Sequence, residues 1–317
     1  MGMIVNKTEE TVISSLGWVD GGHLWVLQTP KMKISSLRLS DSGWLQLFAG
    51  TGDFFSVQHF WGNDWSKMDH LELTVHSFDD PGHALARISL RPDREAFEGD
   101  AQLWEDVPSV YIGPLEGHYY LFIVHPSAKK VERQRLDWFE KQYDTDYQGI
   151  GPPLEVPHSH FVLVPIQRSA RPVLYDLRMA KVVREIDLGA TQYKPGTPEL
   201  GFSDDGDYLY ALNYDTLVQI DRSNWRILRS LPLENQVLTQ DLRFVGDFSF
   251  TGKENLCVVP RPFSADVALV DIRTMRLITH VSVGGQPIQA IVLRNGRVIS
   301  RDWQTGALLT GMRPSSP

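Results

Sequence analysis

The stretch VPHSHFVLVPI, residues 156–166, holds the side chains of this chain best suited to metal chemistry. His158 and His160 stand two residues apart, so a strand running through both would turn the two imidazoles to one face. Paired imidazoles can hold zinc or copper. Two ligands do not make a site, however. A third donor would have to come from His59, His125 or a carboxylate, and no motif singles one out, so no metal and no other cofactor is assigned.

A second group is cationic. Arg168 and Arg171 in QRSAR, Lys194 in YKPGT and Arg261 in RPFSAD lie in turn-like stretches, beside Tyr193 and Phe263. Guanidinium groups offer two parallel donors in a fixed plane, which suits a carboxylate. In a chain whose formal net charge is -8, such a cluster would stand out as a positive rim. The expected ligand-binding set is therefore His158, His160, Arg168, Arg171, Tyr193, Lys194, Arg261 and Phe263. A rival patch is HFWGNDWSKMDH, residues 59–70, where Trp61 and Trp65 flank Asn63 and Asp64; aromatic rings beside hydrogen-bonding groups suit a docking surface.

Catalytic signatures do not occur. There is no G-x-S-x-G, no H-E-x-x-H and no phosphate-cradling glycine loop. The SDDG at residues 203–206 lacks the oxygen spacing of a calcium loop and reads as a hairpin turn. One cysteine, Cys257, rules out an intramolecular disulfide and a thiolate cluster. With 31 Lys and Arg against 39 Asp and Glu, a nucleic-acid partner is not expected. No segment has the apolar length of a membrane helix, the first twenty residues do not read as a secretory leader, and Asn6 stands where a myristoylation motif wants Ser or Thr. No membrane partner and a cytoplasmic location are expected.

Such residues need elements to position them, and the elements repeat. PVLYDLRMAKVVREIDLG from Pro172, TLVQIDRSNWRILRSLPL from Thr216 and VALVDIRTMRLITHVSVGG from Val267 share one plan. An alternating apolar strand ends in Asp (Asp176, Asp221, Asp271); a short polar turn follows, then a second alternating strand. Period-two alternation with Gly/Asp turns is a strand signal. Weaker copies place Arg38, Ser89 and Asp137 at the marker position, which gives a mean step of about 47 residues. Four strands at that period make a β-propeller blade. The expected fold is all-β: a seven-bladed β-propeller of four-stranded antiparallel blades, forming one domain over 1–317. Its approximate blades are 12–49, 54–104, 106–148, 153–189, 195–233, 240–284 and 286–312, the last closed by an N-terminal strand over 3–8.

The units FSDDGDYLYALNYDTLVQIDRSNWRILRSLPL and VALVDIRTMRLITHVSVGGQPIQAIVLRNGRVISRDW resemble the YVTN-type seven-bladed propeller repeats, with the likeness strongest over residues 172–303. Gly-His and Trp-Asp pairs at the WD-repeat positions are not seen. The resemblance implies the fold and not an activity, because propellers host unrelated functions. With no catalytic motif, the expectation is a non-catalytic propeller that recognises a small molecule or peptide, anionic by the argument above, or a protein, at the mouth of the propeller channel. The alternatives are an enzyme of the lyase, hydrolase or isomerase type with a channel site, as virginiamycin B lyase exemplifies by analogy, and a scaffold subunit of a larger complex.

Overall fold

The computed structural model describes residues 2–15, 23–39, 44–49, 53–61, 68–104, 109–115, 117–143, 149–189, 197–233, 245–251 and 255–314. The chain forms two compact units, Met1–Glu140 and Lys141–Pro317.

The first unit carries three antiparallel sheets. The first is β1 (Gly2–Val5), β2 (Thr11–Ser15), β3 (His23–Gln28) and β4 (Lys33–Arg38). Five strands make the second: β5 (Trp44–Ala49), β6 (Asp53–Trp61), β7 (Met68–Ser77), β8 (Ala84–Leu90) and β9 (Glu95–Glu98). The third has β10 (Val110–Leu115), β11 (His118–His125) and β12 (Lys130–Arg135), followed by the helix α1 (Asp137–Gln142).

The second unit carries four. One is β13 (Leu154–Glu155), β14 (Phe161–Val164), β15 (Val173–Asp176) and β16 (Lys181–Glu185). The next is β17 (Glu199–Phe202), β18 (Tyr208–Asn213), β19 (Thr216–Asp221) and β20 (Arg226–Pro232). Then come β21 (Ser249–Thr251), β22 (Leu256–Arg261), β23 (Asp266–Asp271) and β24 (Arg276–Ser282), and last β25 (Pro287–Val292), β26 (Arg297–Asp302) and β27 (Leu308–Met312). In every sheet the strands follow chain order and pair with their sequence neighbours.

Apolar runs such as CVV and VALV arise because both faces of the middle strands are covered. Along β18, Leu209 and Ala211 pack with Leu163 and Leu174 of the sheet before, while Tyr210 and Leu212 pack with Val259 and Ala268 of the sheet after. Each leucine or valine among them contributes about 1.5–3 kcal/mol when fully buried. Arginines tie neighbouring sheets at their outer strands: Arg184 donates to the Asn224 carbonyl and Arg229 to the Arg273 carbonyl.

The repeated aspartates close the turns after the third strands, as the alternation indicates. Asp176 Oδ1 accepts the N–H groups of Arg178 at 2.8 Å and Met179 at 2.9 Å, and Asp271 Oδ1 accepts those of Arg273 at 2.9 Å and Thr274 at 3.0 Å. Four residues beyond each Asp the backbone is left-handed, at Ala180 (φ 48°), Trp225 (φ 60°) and Met275 (φ 53°). A Cβ is strained in that region. The equivalent place after Asp302 is filled by Gly306 (φ 66°). Ala180 is exposed. Ala180→Gly should therefore raise stability by about 0.5–1 kcal/mol through relief of that strain, read as a higher denaturant midpoint at unchanged slope. An unchanged or lower midpoint would mean the turn carries no strain.

Three expectations are corrected. The segment at 3–8 does not close the last sheet: β1 pairs with β2, from Gly2 opposite Ser15 to Val5 opposite Val12, and so opens the first sheet. A strand at the very start shifts the strand map of the first unit. Arg38 ends β4 and faces His23 within the first sheet, while the next strand, β5, belongs to the second sheet, so the two are not one hairpin. Asp137 begins α1 and does not mark a turn between strands. The tryptophan stretch joins β6 to β7, the second and third strands of its sheet. Residues 62–67, including Asn63, Asp64 and Trp65, lie outside the described residues.

Candidate functional site

In the second unit, hydrogen bonds between connections sort the loops into two ends. Leu188 N–H donates to the Ala170 carbonyl, Val283 and Gly284 N–H to Ala265, and Trp303 N–H to Gln286. The connections between second and third strands thus meet those leading from sheet to sheet. At the other end Leu177 N–H donates to the His160 carbonyl, and Arg222 Nη2 reaches the Pro157 carbonyl at 2.6 Å.

The structure does not bring His158 and His160 together with Arg168 and Arg171. His158 and His160 are not on a strand: His158 sits exposed in a left-handed turn (φ 53°), which breaks the alternation that would align the rings. His160 Nε2 lies 3.4 Å from Asp176 Oδ2. Strand β14 runs from this turn to the loop of Arg168 and Arg171, since Phe161 faces Asp176 and Val164 faces Val173. The histidines and these arginines therefore occupy opposite ends of one sheet. Among the described residues no group of three or more His, Cys, Asp or Glu is placed to hold a metal ion.

The cations are spoken for differently than their spacing indicates. Arg171 is exposed, with Glu185 and Asp187 of its own sheet each 3.8 Å away. Arg168 is exposed in a left-handed turn (φ 59°). Tyr193 and Lys194 fall outside the described residues. Arg261, expected on a solvated loop, ends β22 and is only 5% exposed. Its Nε and Nη2 donate to the two carboxylate oxygens of Asp266 at 2.7 and 2.6 Å. This fork-on-fork pair closes the β22–β23 hairpin, where the two residues face each other. A cation five residues before an anion across a Pro-led turn is the signal that could have revealed it. His280 lies beside the pair, 3.8 Å from Asp266. Burial and the Arg261 charge hold its imidazole below the ordinary range, with Asp266 opposing.

What the rim does present is aromatic. Phe263, in the short turn Pro262–Ser264, meets Trp303 edge to face with ring centroids 6.3 Å apart. Trp303 keeps 41% of its surface exposed. It is set by a rigid base: Asp302 Oδ1 accepts the N–H groups of Gln304 at 3.0 Å and Thr305 at 2.7 Å, and Asp302 Oδ2 accepts that of Gln286 at 2.7 Å. Sequence reading missed Trp303, although DWQTG is a further copy of the Asp turn.

A second feature had no sequence signal at all. Glu199 begins β17 and Asp247 stands two residues before β21, so both lie at the first strands of their sheets. The Phe248 N–H donates to Glu199 Oε2, and Asp247 bridges to Gln289. Burial pushes Glu199 well above the ordinary carboxylate range, and the negative charge of Asp247 adds to it; burial raises Asp247 as well. Carboxyls whose folded pKa is raised stabilise the fold below their unfolded pKa, and that contribution is lost as pH climbs through the folded value. Such a pair holds a proton at pH values where ordinary carboxyls have lost theirs.

No protein-family model matches the chain, and no curated protein matches it. Solved structures do. The β-propeller domain of Cps50 (Swd1) from Myceliophteria thermophila aligns with 98% of this chain and 95% of its own at a TM-score of 0.61 and 11% identity. A chain of the mitotic checkpoint complex aligns with 98% of this chain and 86% of its own at a TM-score of 0.54 and 6% identity. At such identities the likeness speaks of fold alone. The fold is an all-β, seven-bladed β-propeller whose last sheet has three described strands.

Proposed function

We propose that this propeller is non-catalytic and binds a protein or an extended peptide segment, with the Phe263–Trp303 pair as its anchor. The observation that carries the reading is a large aromatic ring left 41% exposed, held edge-on against a second ring and fixed at its base by the Asp302 turn. Rigid aromatic side chains lose little entropy on binding and dominate interface energetics. Arg168, exposed on the same class of connection, would supply a polar contact at the edge. The structural neighbours support a role in assemblies: one is described as part of a mitotic checkpoint complex. An anionic small molecule fits less well, because Arg261 is turned onto Asp266 and Arg171 sits among carboxylates.

Trp303→Ala and Phe263→Ala should each cut recovery of the bound partner at least tenfold in affinity captures from native lysate quantified by mass spectrometry. Leu228→Ala, an exposed apolar position on β20, serves as the matched control and should change nothing. Melting temperatures should stay close to wild type, since neither ring is fully buried. If the proteins retained by wild type are equally retained by both rim variants, this site is not the docking surface.

A further inference from the structure

The last strand of each sheet has an edge to protect, and six of the seven do so with charge. β4 carries Lys33 and Arg38, β9 Glu95 and Glu98, β16 Lys181, Arg184 and Glu185, β20 Arg226 and Arg229, and β24 Arg276. β12, which like β27 ends a three-stranded sheet, has four charges in KVERQR. Charged side chains on an edge strand keep other strands from adding to it. β27 reads LLTGM and has none.

Among the described residues β27 is also bare where the third strands of the four-stranded sheets in its unit are covered. The third strands β15, β19 and β23 are each paired on their outer side by a fourth, and their central residues are buried. Among the described residues no strand hydrogen-bonds to the outer side of β27, and none of its five residues is buried. Met312 is 59% exposed.

The ladder shows which groups face that open side. The Ala307 carbonyl accepts the Asp302 N–H, and the Arg313 N–H donates to Gly296, both across to β26 or its flanks. In an antiparallel ladder the bonding direction alternates residue by residue, so the N–H and C=O groups of Leu308, Thr310 and Met312 point outward. A Cβ on Gly311 would run into the Ser282 carbonyl and Val281, so that face of the strand rests on the sheet before it.

We propose that the uncharged edge of β27 pairs antiparallel with the same edge of a second copy of this chain, across a two-fold axis at Thr310. Leu308 then stands opposite Met312 of the second copy and Thr310 opposite its own equivalent. The three facing pairs exchange about six backbone hydrogen bonds. A second copy suits the edge because it brings no charge to a strip that has none to offer, and its side chains match: apolar meets apolar at the ends and hydroxyl meets hydroxyl at the axis. A two-fold contact is self-complementary and closes, so it yields dimers and not fibres. The patch is much smaller than the roughly 1,600 Å² of a standard interface, so the dimer is weak and reversible. This surface is distinct from the Phe263–Trp303 rim.

Sedimentation velocity of the 317-residue chain over a roughly hundredfold concentration range should show a reversible monomer–dimer equilibrium. Thr310→Lys puts two like charges at the axis. Thr310→Pro removes an outward N–H and none of the bonds to β26. Each should weaken dimerisation at least tenfold without lowering the melting temperature. A wild-type chain that stays monomeric throughout overturns the proposal, as does a dimer that persists in both variants, which would place the contact elsewhere. Should Thr310→Pro fail to fold, Thr310→Lys decides alone, because its side chain is exposed.

Discussion

Replacing Arg261 by alanine should destabilise the protein by about 3 kcal/mol or more, the usual cost of removing one partner from a buried ion pair. Arg261 is 5% exposed, and its guanidinium gives Asp266 two short hydrogen bonds. Its loss leaves a carboxylate with restricted access to water and a hole at the end of the β22–β23 hairpin. The expected readout is a fall of several degrees in melting temperature and a lower urea midpoint. Asp266→Ala should cost a similar amount, and the double variant Arg261→Ala/Asp266→Ala clearly less than the two single losses combined, because it removes both partners together. Arg171→Ala, with 59% of its side chain exposed and its partners 3.8 Å away, should cost no more than about 0.5 kcal/mol. Equal, small effects at Arg261 and Arg171 would show that the Asp266 pair contributes nothing to stability.

The second large effect concerns acid. His76 lies in β7, 2% exposed, stacked on Phe54 at 4.9 Å, with Nε2 3.0 Å from Ser56 Oγ. Burial lowers its pKa to about 4; the Pro81 backbone opposes this, and the Arg87 charge adds to it. The unfolded chain regains a value near 6.5 and binds the proton more tightly. The stability that a neutral, buried His76 contributes is thus complete above pH 6.5 and is lost as pH falls towards 4. The change totals roughly 3 kcal/mol. Urea midpoints measured between pH 7 and pH 4 should drop more steeply for wild type than for His76→Gln, which cannot take up the proton. Carboxylates titrate in both proteins, so the difference between the two slopes isolates the histidine. Parallel slopes would mean His76 is protonated in the native state as readily as in the unfolded one.

What this sequence determined by itself is whatever depends on residues close along the chain. Period-two alternation marks strands because successive side chains take opposite faces. The Asp turns are legible because each carboxylate is satisfied by N–H groups two and three residues on, at Asp176 and Asp271 alike. From these came the repeat, the all-β class and the seven blades. Alternation cannot say which sheet a strand joins, since the strand looks the same on either side of a turn. Only the paired structure decided that β1 opens the first sheet and that β4 and β5 part company. The same limit separates the two histidines from Arg168 and Arg171. Spacing of two aligns His158 and His160 only if the backbone is extended, and a left-handed His158 removes that condition. Charge at Arg261 reads as solvated until the hairpin register sets it against Asp266. Glu199 and Asp247 are 48 residues apart, and their shared environment exists only where first strands of neighbouring sheets meet. The bare edge of β27 belongs to the same class of fact. Its lack of charge is written in the sequence, but that no described strand covers it follows from the strand order, because an edge is defined by what is absent beside it.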